Sequence, residues 1–301
     1  MLSRRALIAT PVAVLASYGS FAQSTGGRRM QLCIHTNTSS GAGYRAALEG
    51  WAKAGIRNVE LNASLIEAFL KSDSLDAAKR VLTDNGLTPV HATVPGNLLE
   101  PGPDRAAVID TLKKRLEMLA FLGLKKVYTT TNSTQKPVRD QYERVADNMR
   151  LLGEIAKSFN MIISVEFVRA SPYMSTLLTA LKVTRQAAHP NFGMMFDFYH
   201  FWSGHNRLED LDQIRQGEIQ HVHFQDVPDI PRETLDNNTR VIPGDGVAPI
   251  VPILKKLREK GYNGPLSVEL FAPQFRDGNP YEIAREIRQK CDAVMRRAGV
   301  L

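Results

Sequence analysis

The stretch "MIISVEFVRASPYMSTLLTALKVTRQAAHPNFGMMFDF" (161–198) decides the fold, because two apolar runs in it flank one helical segment. "MIISVEF" (161–167) and "NFGMMFDF" (191–198) have the length of buried strands, whereas "YMSTLLTALKVTRQAA" (173–188) has helical spacing. A strand, a helix and a second strand in this order form a right-handed βαβ unit with parallel strands. We therefore expect a parallel sheet covered by helices.

The same alternation continues through residues 28–301, which predicts a single domain. Further strands are predicted at 30–35, 57–61, 87–92, 125–130, 219–226 and 265–270, and further helices at 44–55, 73–85, 104–122, 138–159, 207–216, 248–260 and 280–298. Eight strands alternating with eight helices favour a closed (β/α)₈ TIM barrel over an open doubly wound sheet. No G-x-G-x-x-G motif follows the first strand, which argues against dinucleotide binding.

Residues 1–22 have the layout of an export signal. Arg4 and Arg5 precede an apolar run, and the small residues Ser20 and Ala22 stand before Gln23. The stretch "SRRALI" resembles a twin-arginine signal, so we expect a periplasmic or exported protein. An uncleaved N-terminal anchor is the alternative. No other segment is long and apolar enough to span a bilayer, so stable membrane insertion of the mature chain is not expected.

The composition gives little indication of a macromolecular partner. The net charge is +7, but the basic residues are scattered, which is typical of a solvated surface and not of a nucleic-acid interface. A homo-oligomer is compatible with the sequence. The two cysteines, Cys33 and Cys291, are too few for a disulfide framework, and we expect both to be small buried hydrophobic residues, with a single bridge as the alternative.

Polar residues collect at the carboxyl ends of the last four strands, which share one rim in a parallel barrel. These residues are Glu166, Asp197, His223 and Glu269. Three facing carboxylates repel one another unless a cation lies between them, so the set predicts one divalent metal ion. The oxygen-rich donors favour Mn²⁺, with Mg²⁺, Co²⁺ or Zn²⁺ as alternatives. Each residue alone would be read as a capped strand end.

Other polar residues on this rim are candidates for binding substrate. His35, Glu60 and His91 close the first three strands, and His200 follows Asp197 by three residues. The long polar loop 226–249 lies over the same rim, and Arg232 is its best candidate for binding an anionic or hydroxyl-rich ligand.

Three further features of the sequence near these candidates have predicted roles other than binding substrate. His221 is two residues before His223, faces the same side one layer deeper, and could orient a neighbour. Asp226 could either hold a ligand histidine or cap the following loop. "PGDG" (243–246) reads as a turn before a helix.

The stretches "VEF" (165–167), "FDFYH" (196–200), "HVHFQDVP" (221–228), "PGDG" and "SVELF" (267–271) resemble the xylose-isomerase-like sugar isomerase and epimerase superfamily. The resemblance covers essentially the whole mature chain and implies that the four strand-end residues hold the metal. It also implies that Glu166 and Glu269 exchange protons with substrate, and that His200 and a downstream arginine bind its oxygens. The related endonuclease IV branch needs an Asp-x-His motif, yet residues 227–260 contain no histidine.

The sequence is compatible with three functions. The first is a metal-dependent isomerase or epimerase of a sugar or small hydroxy-ketone, which moves a proton through a metal-bound enediolate. The second is a lyase that dehydrates an inosose or a 3-keto-glycoside at the same metal site. The third is a non-catalytic periplasmic sugar-binding protein, which would not require two opposed glutamates.

Overall fold

A computed structural model describes residues 29–100, 102, 104–133 and 135–301, so the predicted leader lies outside the described residues. Its eight strands form a closed barrel in chain order, and every neighbouring pair, including the first and last strands, is parallel. The strands are β1 (Gln31–His35), β2 (Asn58–Asn62), β3 (Thr88–Thr93), β4 (Lys126–Thr130), β5 (Ile162–Glu166), β6 (Phe192–Asp197), β7 (Ile219–His223) and β8 (Pro265–Val268). The prediction of a single (β/α)₈ barrel is confirmed.

Helices surround the barrel and follow the predicted order. They are α1 (Gly43–Lys53), α2 (Ala63–Phe69), α3 (Leu75–Asp84), α4 (Arg105–Phe121), α5 (Gln141–Ser158), α6 (Leu177–Ala187), α7 (Phe198–Ser203), α8 (Ile250–Glu259), α9 (Pro273–Arg276) and α10 (Pro280–Ala298). The predicted helix at 207–216 is a 3₁₀ helix over Leu208–Gln213. The sequence did not predict α2, α7 and α9, because helices of four to seven residues are too short to show a period.

The apolar core lies between the barrel and the helices. Trp51 on α1 is fully buried, and its indole N–H donates to Ser39 Oγ at 3.3 Å, which satisfies its polar atom. Gly50 lets α1 approach α10, because a Cβ atom there would lie 2.8 Å from the Cβ of Pro280. Cys33 and Cys291 are buried free thiols, as predicted. Within the described part of the chain, no helix is both long and apolar enough to cross a bilayer.

Candidate metal centre

The four predicted ligands come together at the carboxyl rim of the barrel. Glu166, Asp197 and His223 are the last residues of β5, β6 and β7, and Glu269 directly follows β8. One potential ligand atom from each residue lies within 4.8 Å of the others, and all four side chains are buried. We call this set the metal cluster. Its three carboxylates and one imidazole fit a divalent ion that prefers oxygen donors.

His223 lies at the centre of the metal cluster. Its Nδ1 is 2.9 Å from Glu166 Oε1 and 3.4 Å from both Asp197 Oδ2 and Glu269 Oε2. Burial alone would lower the pKa of His223, but the surrounding carboxylates, Glu60 foremost, raise it well above its ordinary value. The carboxylates on both sides of the His223 ring therefore favour positive charge on it.

The two glutamates of the cluster differ in proton affinity. Burial raises the pKa of Glu166 to about 8, although His223 acts in the opposite direction. Burial would raise the pKa of Glu269 too, but the charges of His223, His35 and Arg240 lower it. The two carboxyl groups thus share one site with opposite tendencies to hold a proton, which is the pattern of an acid and base pair.

The spacing of Asp197 and His200 follows from a helix cap. Asp197 is the N-cap of α7, and its Oδ1 accepts the backbone N–H of His200 at 2.6 Å. Because Oδ1 caps the helix, Oδ2 is left to face the metal cluster, where it accepts from Gln225 Nε2 at 2.7 Å. His200 is held beside the cluster in the first turn, and burial lowers its pKa to about 4.

Arg240, which the sequence analysis did not single out, reaches the metal cluster. Its Nη1 donates to Glu269 Oε2 at 2.7 Å and to Asp197 Oδ2 at 3.3 Å, and its Nη2 donates to His200 Nε2 at 3.3 Å. The guanidinium also packs against the ring of Tyr199 at 4.5 Å. It is only 2% exposed, so its charge acts in a setting of weak solvent screening.

Arg232, the predicted substrate-binding arginine, lies elsewhere. Its side chain is exposed and stacks over the ring of Trp202, with 3.7 Å between the guanidinium carbon and the ring centroid. The arginine that contacts the cluster is therefore Arg240, eight residues further along the same loop. The loop does bring an arginine to the cluster, but that residue is Arg240; substrate binding by Arg232 stays a prediction.

Asp226 explains why the loop carries Arg240 inward. Its Oδ1 accepts the backbone N–H of Val227 and Ala248, each at 2.9 Å, and its Oδ2 accepts those of Gly244 and Gly246, each at 3.1 Å. Of the two predicted roles, the structure shows the loop cap. "PGDG" is thus more than a turn, since two of its N–H groups anchor the loop.

His35 stands at the edge of the cluster, whereas Glu60 and His91 lie deeper in the barrel. His35 Nδ1 is 3.8 Å from Glu269 Oε1. Glu60 and His91 precede the ends of their strands by two residues, so they do not close β2 and β3 as expected. Both are fully buried and contact each other at 3.2 Å.

Two further polar residues near the cluster were also missed. Gln225 follows His223 by two residues, so the two side chains share a direction along an extended chain, whereas Asn37 lies in the 3₁₀ helix Thr36–Ala42 that follows β1. Asn37 Nδ2 donates to Glu269 Oε1 at 2.9 Å. The spacing of two was an available signal for Gln225 but not for Asn37. For Arg240 the sequence offers no comparable signal.

Comparison with known proteins agrees with this architecture. The family model described as the xylose isomerase-like TIM barrel matches residues 48–294. The chain is 26% identical over 253 residues to an inosose isomerase of Halalkalibacterium halodurans, which covers 82% of this chain and 89% of that protein. It is 27% identical over 170 residues to a 3-dehydroshikimate dehydratase of Pseudomonas putida, which covers 56% of this chain and 27% of that protein.

Among solved structures, a crystal structure of an IolI protein with a bound zinc atom superposes with a TM-score of 0.84. The two chains are 24% identical, and the match covers 89% of this chain and 99% of the other. That likeness shows the fold, and the match to the family model extends over more than half of the chain. The chain therefore belongs to the xylose isomerase-like TIM barrel family.

Proposed function

We propose that the protein is a divalent-metal-dependent enzyme that moves a proton on a carbon next to a carbonyl group in a cyclic polyol ketone or a ketose. The observation that carries the proposal is the metal cluster, in which two glutamates of opposite pKa shift lie beside the same imidazole. A sugar-binding protein would need hydrogen-bonding groups but not such a pair. The similarity to an inosose isomerase supports a ketone of an inositol as the first substrate to test.

The metal cluster would hold the ion through Glu166, Asp197, His223 and Glu269. When bound, a divalent ion supplies Lewis acidity, which makes the proton beside a carbonyl easier to remove. The oxygen-rich donor set supports Mn²⁺, while the bound zinc in the similar IolI structure supports testing Zn²⁺ as well. Metal analysis of protein purified without added metal distinguishes these ions.

The residues around the ion position provide the remaining functions. Glu269, whose pKa is lowered, is suited to accept a proton from the substrate carbon, and Glu166, whose pKa is raised, is suited to hold one. His200 and Arg240 lie next to each other and could bind substrate oxygens, one through an imidazole nitrogen and the other through a guanidinium N–H. All four side chains are 2–4% exposed, which limits the access of bulk water to the reacting proton.

The experiment is solvent-deuterium exchange into an inosose and into ketoses, followed by NMR. Glu166→Gln and Glu269→Gln should each lower exchange about 10²- to 10⁴-fold, because each removes one proton-transfer group. Glu100→Gln is the matched control, since Glu100 is also buried but its hydrogen-bond partners Asn97 and Ser133 are not members of the cluster. If both variants retain the metal and exchange deuterium at the wild-type rate, the hypothesis of a sugar-binding protein is favoured over that of an enzyme.

Dehydration is the second candidate, and the similarity to a 3-dehydroshikimate dehydratase favours it specifically. The first step is the same removal of a proton beside a carbonyl. The outcome then differs, because a hydroxyl on the next carbon leaves before a proton returns. The same NMR experiment separates the two, since dehydration gives a new vinylic proton signal and loss of water, whereas isomerisation or epimerisation keeps the mass of the substrate.

Export is a further part of the proposal. The paired arginines Arg4 and Arg5 before an apolar run support a twin-arginine leader and a periplasmic protein. Cell fractionation of the wild-type chain and of a variant with both arginines changed to lysine tests it. We expect the wild-type protein in the periplasm and the variant in the cytoplasm; equal distribution of the two would contradict a twin-arginine route.

A further inference from the structure

Glu60 is a fully buried carboxylate in the barrel interior with three histidine neighbours. His221 Nε2 lies 2.8 Å from its Oε2, while His91 Nδ1 and His223 Nε2 lie 3.2 and 3.3 Å from its Oε1. Within the described part of the chain, all its ion-pair partners are histidines, the fourth being His35 at 4.0 Å. A buried carboxylate with this many directed partners calls for an explanation that the proton-transfer chemistry above does not provide.

A second metal ion is the first alternative, since Glu60, His91 and His221 also place ligand atoms within 4.8 Å of one another. The rings of the two histidines, however, are stacked with centroids 4.1 Å apart and planes inclined by only 13°. A metal ion lies about 2 Å from an imidazole nitrogen, along its in-plane lone pair. Two nearly parallel ring planes at this separation have no such point in common. The arrangement therefore suits hydrogen bonding to Glu60 and not a shared ion.

The orientation of His223 gives Glu60 a different role. The Nδ1 of His223 faces three carboxylates of the metal cluster, and its Nε2 faces Glu60. A histidine that binds metal through one nitrogen usually donates its other N–H to a carboxylate or carbonyl group, which fixes the tautomer and the ring orientation. His223 has both contacts of this arrangement, since its Nδ1 faces the metal cluster and its Nε2 faces the carboxylate of Glu60.

We propose that Glu60 is a positioning residue that keeps the proton of His223 on Nε2 and thereby presents the Nδ1 lone pair to the metal. His91 and His221 contact Oε1 and Oε2 of Glu60, and these two contacts restrict rotation of the carboxylate that faces His223. This role replaces the substrate-binding role that the sequence predicted for Glu60 and His91. The inference rests on the metal centre of the proposed function.

The edge of Tyr128 adds to the support of the His223 ring. The two rings are nearly perpendicular, at 88°, with centroids 5.1 Å apart, and Tyr128 is itself buried. An edge-to-face contact of this kind limits rotation of the imidazole without forming a hydrogen bond to either ring nitrogen. Tyr128 therefore limits the movement of the ring, while the contact that favours a proton on Nε2 is the one with Glu60.

The first test is calorimetric titration of chelator-treated protein with Zn²⁺, comparing wild type, Glu60→Gln and the control Glu100→Gln. We expect one ion per chain in all three, with affinity about 10- to 100-fold weaker in Glu60→Gln only. Unchanged affinity in Glu60→Gln would overturn the inference. Two ions in the wild type falling to one in Glu60→Gln would instead establish the second metal site. No binding by the wild type would remove the proposed function together with this inference.

The second test needs no Glu60 variant and so does not depend on its folding. In Zn²⁺-loaded protein with ¹⁵N-labelled histidine, NMR identifies which nitrogen of His223 carries the proton, with His223→Asn providing the assignment. We expect the proton on Nε2 and the metal on Nδ1. A proton on Nδ1 would overturn the proposed role of Glu60 while leaving metal binding, and hence the proposed function, intact.

Discussion

Exchanging each loop arginine for methionine tests the electrostatics of the metal cluster. Arg240 is 2% exposed, and its Nη1 is 2.7 Å from Glu269 Oε2, so Arg240→Met leaves buried carboxylates without their cation. Breaking a buried ion pair from one side costs about 3–5 kcal/mol. The exposed side chain of Arg232 makes a cation–π contact with Trp202, which contributes about 0.5–1 kcal/mol. Methionine keeps much of the length and apolar surface of arginine, which makes the two variants a matched pair.

The assay is thermal unfolding of chelator-treated protein. At about 2–4 °C per kcal/mol for a chain near this size, Arg240→Met should lower Tm by roughly 6–20 °C, and Arg232→Met by roughly 4 °C at most. Added divalent metal should then raise Tm more in Arg240→Met than in the wild type, because the ion neutralises the same carboxylates. The geometry requires both results: a lower Tm in Arg240→Met than in Arg232→Met, and a larger rise of Tm on metal addition in Arg240→Met than in the wild type.

The same pair of variants should differ in catalysis. If Arg240 donates a charge-assisted hydrogen bond to a substrate oxygen, its loss costs about 1.5–3 kcal/mol, or roughly 10- to 150-fold in kcat/KM. Arg232→Met should stay within a factor of three or so of the wild type, as expected for an exposed residue. A greater loss of stability and kcat/KM in Arg232→Met than in Arg240→Met would refute the reasoning, since the loop would then present the other arginine to the site.

Two further predictions concern residues outside the metal cluster. Burial lowers the pKa of His91 to about 3. Below pH 6.5 the unfolded chain therefore binds a proton at this histidine that the folded chain does not bind. The free energy of unfolding should fall as the pH drops from 6.5 towards 3, and His91 alone should account for a loss of about 2 kcal/mol at pH 5. In chelator-treated protein, His91→Gln should lose less Tm than the wild type between pH 7 and pH 5. Equal losses in the two proteins would contradict a lowered pKa at His91. Asp226→Asn should destabilise the chain by about 2–3 kcal/mol in the same assay. The reason is that an amide N–H₂ replaces an oxygen that accepts two backbone N–H groups. A Tm equal to that of the wild type would show that the loop does not depend on this cap.

The sequence was most informative where position along a strand determines position in space. In a parallel barrel, the last residue of each strand must lie at one rim, so Glu166, Asp197 and His223 could be grouped without knowing any contact. The same reasoning failed for Glu60 and His91, because each lies two residues before the end of its strand, which keeps the side chain on the same face but places it one layer deeper.

The loop over the rim could not be predicted in this way. Its sequence contains Arg232 and Arg240, and neither has a period or register that fixes its direction. The choice between them depends on contacts made across the loop, above all the backbone pairing of Asp226 with Val241 and the cap that Asp226 provides. Gly246 belongs to the same arrangement, since a Cβ atom there would lie 2.1 Å from the carbonyl oxygen of Val227. Such contacts follow from the folded path and have no local sequence signature.

Arg240 also changes how the charge of the metal cluster should be understood. A divalent ion in the cluster favours the ionised form of all three carboxylates, Glu166 included. Together with one guanidinium they then leave two negative charges, which the ion neutralises when His223 binds as a neutral imidazole. Glu60 is not one of these groups; it is a further buried carboxylate that contacts the cluster through the Nε2 of His223. For the four ligands and Arg240 alone, the arginine fixed by the loop makes +2 the charge that neutralises the metal cluster, whichever divalent metal provides it. Removing Arg240 should consequently strengthen metal binding while weakening the grip on substrate, a combination that a purely structural arginine would not produce.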